Sequence, residues 1–106
     1  MRLDHQVLDD IVQRILSVSS PDKNILFGSA ASGEKTADSD IDLLVAKRDI
    51  VDRRQEYLRI RRALRDIERS FDIILITSDW FEQSKDVVGG IAYPAAKHGQ
   101  ILYAVA

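Results

Sequence analysis

The stretch FGSAASGEKTADSDIDLLV, residues 27–45, contains the pattern on which the predicted fold depends. Two aspartates, Asp40 and Asp42, stand one residue apart at the start of an apolar run that predicts a buried strand. Because successive side chains of a strand point to opposite faces of the sheet, these two carboxylates share one face. Like charges this close raise each other's pKa, so the pair is unfavourable unless a bound cation or a reaction makes use of it.

The composition of the 106 residues predicts one globular domain, residues 1–106, because 45% of them are hydrophobic. We expect a cytoplasmic protein without a membrane segment. The chain has no apolar run of about 18 residues, and it begins with acidic residues where a signal peptide would be basic and then apolar. The absence of cysteine excludes disulfides, thiol nucleophiles and zinc–thiolate sites. The net charge of −2 argues against direct nucleic-acid binding.

Hydrophobic spacing and turn residues divide the chain into helices and strands that alternate. The predicted elements are a helix over residues 4–18 capped by Asp4, strands over 24–27 and 41–46, a helix within 50–70, a strand over 71–77, a helix over 84–98 with Gly99 as its C′ residue, and a strand over 101–105. Gly89, Gly90 and Pro94 weaken that last helix, so we expect a kink or a late start. The fold class is therefore α/β (α+β), with a small mixed sheet of about four strands packed with helices.

Two phosphate-binding patterns compete for the glycine-rich segment. A P-loop requires lysine directly after its second glycine, but Glu34 separates Gly33 from Lys35 and would repel phosphate. The alternative is a Gly-Ser pair, ten residues and then Asp-x-Asp, in which Gly28 allows close backbone approach and Ser29 donates to phosphate oxygens. We therefore favour the second pattern.

Three carboxylates then form a candidate metal site. Asp40 and Asp42 would hold Mg²⁺ or Mn²⁺, which prefer oxygen ligands and share them with substrate phosphates. Asp72 stands at the entrance of the strand FDIILIT. If that strand neighbours the one that begins near Asp42, the two lie about 4.8 Å apart, and Asp72 can reach the same cluster.

These motifs resemble the minimal nucleotidyltransferases of the polymerase beta superfamily, close to the MNT antitoxins that accompany HEPN-domain toxins. The resemblance covers nearly the whole chain, through residues 27–29, 39–45, 71–74 and the closing GQILY. It implies a polymerase beta-like nucleotidyltransferase fold. It also implies attack by a hydroxyl on the α-phosphate of ATP, with AMP transferred to a tyrosine of a HEPN-type toxin as the protein partner.

The same resemblance implies a role for each site residue. Asp40 and Asp42 would bind two metals about 4 Å apart. Asp72 would bind the first metal or take the hydroxyl proton. Gly28 and Ser29 would hold the β- and γ-phosphates.

The sequence departs from the family pattern in the loop after Gly-Ser, where relatives commonly carry arginine and this chain has Ala30, Ala31 and Ser32. We expect Lys35 or a residue of the basic helix to replace that cation. Two rival functions stay open. One is a non-catalytic module that neutralises its partner by contact, and the other is a small-molecule adenylyltransferase subunit completed by another substrate-binding domain.

The segment 47–69 concentrates the positive charge of the chain. Nine of its residues are basic: Lys47, Arg48, Arg53, Arg54, Arg59, Arg61, Arg62, Arg65 and Arg69. Because acidic residues are interspersed, one interpretation is a solvated helix face with i,i+4 ion pairs. The other is a surface that faces the triphosphate or an acidic partner.

Overall fold

The computed structural model describes residues 5–28 and 40–105, and within them it confirms the predicted α/β fold. The elements in chain order are α1 (His5–Val18), β1 (Lys23–Phe27), β2 (Ile41–Lys47), α2 (Arg53–Leu64), β3 (Phe71–Thr77), α3 (Ser78–Ser84), α4 (Tyr93–His98) and β4 (Gln100–Ala104). The predicted cap Asp4 lies outside the described residues. No helix in this part of the chain combines the length and the apolar character needed to cross a membrane.

The four strands form one mixed sheet in the order β3-β2-β1-β4. β1 pairs antiparallel with both β2 and β4, whereas β2 and β3 run parallel. Parallel neighbours require a crossover connection, and α2 provides it. The two central strands therefore have partners on both sides, and β3 is an edge strand.

Helices cover both faces of this sheet and create two cores. On one face Ile41, Leu43 and Val45 of β2 pack with residues of α1 and α2 such as Ile15 and Ile60. The opposite face packs Leu44 and Ala46 with residues of α3 and α4, namely Phe81 and Ala95. The uninterrupted apolar sequence of β2 follows from this arrangement, since both of its faces are buried.

The helix predicted within residues 50–70 is shorter than that segment at both ends. Asp52 has extended backbone and accepts a hydrogen bond from the Gln55 amide at 3.1 Å, so α2 begins at Arg53. The last helical residue is Leu64, and turns follow it. Ile67 nevertheless stays buried in the core beyond the helix.

The helix predicted over residues 84–98 starts late, at Tyr93, which agrees with the expected effect of Gly89, Gly90 and Pro94, but a separate helix before it was not predicted. The chain instead forms α3 directly after β3 and then α4, with irregular backbone between them. Thr77 caps α3 by accepting from the Trp80 amide, so this helix starts directly after β3. The interruption follows from Gly89, whose φ of 86° is left-handed, and Pro94 lies in the first turn of α4, where proline is tolerated.

Gly99 follows the last helix as predicted, but its backbone is extended, with φ −85° and ψ 166°, and is not left-handed. Glycine is required there for space. A Cβ atom on Gly99 would lie 2.3 Å from the Ala95 carbonyl oxygen and 2.6 Å from Cγ2 of Ile25. The residue therefore lets the chain turn from α4 into β4 directly against β1.

Two arginines of α2 bond the outer edge of β3. Arg53 Nη1 donates to the Leu75 carbonyl, and Arg61 Nη1 donates to the Phe71 carbonyl at 2.6 Å. Arg53 and Arg61 are eight residues apart, which is about 12 Å along a helix. Phe71 and Leu75 are four residues apart, which is about 13 Å along a strand. The distance between the two arginines therefore matches the distance between the two carbonyls. The arginines occupy outward carbonyls that an edge strand would otherwise offer to another chain.

We expect Ile60→Ala to lower the free energy of unfolding by about 2–5 kcal/mol, because it opens a cavity in the core under α2. Leu58→Ala is the matched control on the same helix, since Leu58 is 36% exposed and Ile60 is fully buried. The control should change stability by about 0.5 kcal/mol or less. Urea denaturation measures both variants, and equal losses would contradict the assigned orientation of α2.

Candidate functional site

The structure places Asp42 directly beside Asp72, at the ends of neighbouring strands. Their Cα atoms are partners in the parallel register of β2 and β3. Asp40 immediately precedes β2, and its side chain is exposed, as is that of Asp72. Asp42 itself is half-buried. The carboxylates that the sequence assigned to one site therefore lie at one end of the sheet.

The environment of Asp42 opposes its ionisation. Burial is the largest cause of a raised pKa at this carboxyl, and the charges of Asp72 and Asp40 raise that pKa further. Desolvation and like-charge repulsion both disfavour the anion. A cation or a hydrogen-bond donor bound at this end of the sheet would relieve both effects.

Gly28 completes the site by leaving room for Asp42. Its φ of 73° is left-handed, and a Cβ atom here would lie 2.1 Å from Oδ2 of Asp42. The sequence predicts a role for Gly28 in the approach of a phosphate and does not predict this packing role. The sequence carries no direct signal for this contact, because it follows from the antiparallel register that pairs Phe27, the neighbour of Gly28, with Asp42.

Several predicted site residues lie outside the described residues. Ser29, Lys35 and the departing loop residues 30–32 all fall in the segment 29–39. Within residues 5–28 and 40–105, no three carboxylate or imidazole groups form a cluster that could by itself hold a metal ion. The carboxylates of Asp42, Asp40 and Asp72 thus interact electrostatically without forming a complete set of metal ligands.

The donor chemistry nevertheless suits Mg²⁺ or Mn²⁺. Such ions are often held by one or two carboxylates together with waters and substrate phosphates, so a complete protein cage is not needed. The half-buried carboxylate of Asp42, with Asp40 beside it, is an oxygen donor whose charge is uncompensated in the described structure. These two residues fit a magnesium ion that shares its remaining positions with a phosphate.

The basic helix α2 lies on the other face of the sheet. Its buried residues Ile60 and Leu64 pack against Ile41 and Leu43, whereas Asp42 alternates to the face covered by α3 and α4. The interpretation of this helix as a triphosphate-facing surface is therefore not supported.

Comparison with known protein families shows which family this chain belongs to. Residues 10–104 match the family model described as "Polymerase beta, Nucleotidyltransferase". The chain belongs to this nucleotidyltransferase family. A search of curated protein sequences finds no significant match.

Solved structures share the fold of this nucleotidyltransferase domain. A chain of a toxin–antitoxin structure with AMP-PNP has a TM-score of 0.70 at 17% identity, covering 92% of this chain and 73% of that chain. A toxin–antitoxin MntA–HpeT mutant has a TM-score of 0.67 at 14% identity, with the same coverage of 92% and 73%. A structure of tri-AMPylated Shewanella oneidensis HEPN toxin in complex with MNT antitoxin has a TM-score of 0.56 at 18% identity, covering 94% and 72%.

We expect Gly28→Ala to destabilise the protein more than Gly89→Ala. Both glycines have left-handed backbone, so either substitution adds strain of about 1–2 kcal/mol. Only the alanine at 28 also collides with Asp42, because nothing lies within 4 Å of a Cβ at Gly89. Urea denaturation measures the free energy of unfolding of both variants. Equal decreases would show that the packing of Gly28 against Asp42 does not contribute to stability.

We expect Asp42→Asn to stabilise the metal-free protein at neutral pH. The folded-state pKa of Asp42 is raised above the ordinary value of 3.8, so the native state holds this proton more tightly than the unfolded state. The contribution of Asp42 to the free energy of unfolding therefore falls as pH rises from that value through the raised pKa. The asparagine variant lacks this fall.

The measurement is urea denaturation between about pH 4 and pH 7 in the presence of a chelator. Asp49→Asn is the control, since it removes one charge from an exposed loop residue. It should retain the pH profile of the unchanged protein. Loss of structure in Asp42→Asn would instead mean that the carboxylate is needed for folding.

Proposed function

We propose that this protein is a metal-dependent nucleotidyltransferase that transfers AMP from ATP to a hydroxyl group of a partner protein. The observation that carries the proposal is the in-register pairing of Asp42 with Asp72, next to Asp40, in a domain of the polymerase beta nucleotidyltransferase family. The carboxylates of Asp40, Asp42 and Asp72 repel one another, which is unfavourable for folding. Metal-assisted transfer to a hydroxyl uses carboxylates held close together in this way, because they bind the metal ions.

Each residue has a distinct task in this proposal. Asp40 and Asp42 would hold Mg²⁺ or Mn²⁺, and Gly28 leaves the space that the Asp42 carboxylate occupies. A divalent ion bound there supplies positive charge that offsets the charge developing on the α-phosphate. The exposed carboxylate of Asp72 would bind the first metal or accept the proton of the attacking hydroxyl. The hydroxyl oxygen then bonds to the α-phosphorus of ATP, and the bond from that phosphorus to the leaving pyrophosphate breaks. Ser29 and Lys35 are proposed to bind the phosphates of ATP.

The partner is proposed to be a HEPN-type toxin, with this protein as its antitoxin. The support is the similarity in fold to chains from toxin–antitoxin structures, one with AMP-PNP and another with a tri-AMPylated HEPN toxin. At 17% and 18% identity this similarity concerns the fold, so the acceptor is part of the proposal.

A contact-only antitoxin is the second candidate. The departure at residues 30–32 favours it, because a phosphate-binding cation common in relatives is replaced there by Ala30, Ala31 and Ser32. Against it stands the electrostatic cost of the carboxylates, which a pure contact surface gives no reason to keep. Transfer is therefore the function that we favour.

Intact-protein mass spectrometry of a HEPN-type partner tests the proposal. With ATP and Mg²⁺, the partner should gain the mass of one or more AMP units. Asp40→Asn combined with Asp42→Asn should reduce the rate by a factor of about 100 or more, because the phosphate loses the cation that these carboxylates hold.

The matched control is Asp49→Asn combined with Asp79→Asn, which removes the same charge from exposed positions outside the site. This double variant should transfer AMP at the unchanged rate. Neutralisation that needs no ATP, adds no mass and survives the Asp40 and Asp42 substitutions would refute transfer and establish the contact-only function.

A further inference from the structure

The outward face of α2 presents an arginine row with an apolar side chain at its centre. Arg54, Leu58 and Arg62 are spaced four residues apart, so they lie above one another on the helix surface. A shallow groove of about 340 Å³ runs along this face, and it is lined by Asp52, Arg54, Gln55, Leu58, Arg59 and Arg62. Arg65 extends the positive charge just beyond the helix.

The acidic residues near this helix do not neutralise the row. Glu56 is buried and accepts a hydrogen bond from Lys47 Nζ at 2.9 Å. Burial raises the pKa of Glu56, but this hydrogen bond and the nearby positive charges outweigh it, so the pKa is lowered. Asp66 lies 3.8 Å from Arg14, and Asp52 caps the helix. The charged face of α2 is therefore solvated, as one interpretation expected, but the described residues show no i,i+4 ion pair within this helix.

Three arginines consequently stay uncompensated. Among the ion pairs and side-chain hydrogen bonds of residues 5–28 and 40–105, none involves the side chain of Arg54, Arg62 or Arg65. Arg53 and Arg61 are by contrast engaged by carbonyls of β3, which anchors the helix and leaves the outer row pointing to solvent. A row of guanidinium groups that have no counter-charge among the described residues is suited to bind carboxylates or phosphates.

We propose that the outer face of α2 binds an acidic amphipathic helix of a partner protein. Carboxylates four residues apart on such a helix match the spacing of Arg54 and Arg62 around Leu58, and an apolar residue between them would cover Leu58. Arginine is enriched among the residues that contribute most to binding at interface centres. Leu58, which is 36% exposed between the arginines, adds apolar surface that a partner can cover. This surface is on the sheet face opposite Asp42, so the proposal does not rest on the transfer reaction.

Protein carboxylates fit this surface better than nucleic-acid phosphates. The whole chain carries a net charge of −2, which opposes acidic peptides as well as RNA, so the distinction rests on the aromatic side chains of the helix. Tyr57, the aromatic residue of α2, is half-buried, and the guanidinium of Arg61 lies 5.9 Å from its ring centre. The helix therefore lacks the open aromatic side chains on which bases stack.

A nuclear magnetic resonance titration of the ¹⁵N-labelled full chain tests this docking surface without ATP or metal. The probe is a synthetic helical peptide with glutamates four residues apart around one leucine, and a peptide with glutamine in place of glutamate is the reference. We expect amide shifts confined to residues 52–65, and no shifts with the glutamine peptide. A single-stranded RNA oligonucleotide is the competing ligand.

Arg62→Glu should weaken peptide binding at least about tenfold, because it places a repulsive charge in the groove. Arg48→Glu is the matched control, since it reverses an exposed arginine outside α2, and it should leave the affinity unchanged. Leu58→Ala should weaken binding about three- to tenfold while the fold is retained. This second variant keeps the test decisive if Arg62→Glu does not fold.

Three outcomes would overturn the proposal. The first is a peptide affinity that neither Arg62→Glu nor Leu58→Ala changes. The second is no detectable binding at about millimolar peptide. The third is RNA binding that is tighter than peptide binding and that Arg62→Glu weakens. None of these outcomes bears on AMP transfer, which the mass measurement tests separately.

Discussion

The parallel pairing of β2 with β3 is the constraint on which the site depends. It holds Asp42 opposite Asp72, and because β2 is buried on both faces, neither strand can shift without exposing its core residues. The repulsion between the carboxylates acts against this register. Burial of Leu43, Leu44 and Val45 on β2 offsets that repulsion, so the apolar sequence after Asp42 is what allows the site to exist.

Glycine serves three different purposes in this fold. Gly28 combines a left-handed backbone with the absence of a side chain, and the Asp42 carboxylate occupies the resulting space. Gly89 needs only the backbone conformation, since it faces open space and interrupts the path from α3 to α4. Gly99 has ordinary dihedral angles and is constrained by close contact with α4 and β1.

The arginines of α2 are divided by where their side chains point. Arg53 and Arg61 bond the edge of β3, and this contact joins the crossover helix to the strand that carries Asp72. Arg54 and Arg62 lie on the outer side, without a counter-charge in the described part of the chain. One basic helix can therefore protect a sheet edge and offer a docking surface, because residues four apart share a side of the helix.

The sequence by itself determined the order of the four strands and of the first two helices. It also placed Asp40 and Asp42 on one strand face, because alternation along a strand is a local property. It also located Asp72 at the start of β3, because an apolar run follows that residue. It did not reveal the separate helix α3, the shortness of α2 or the fit of Gly28 against Asp42. Tertiary structure decided these features and the inward turn of Glu56 to Lys47, because each depends on which backbone or side chain from a distant part of the sequence lies within contact distance.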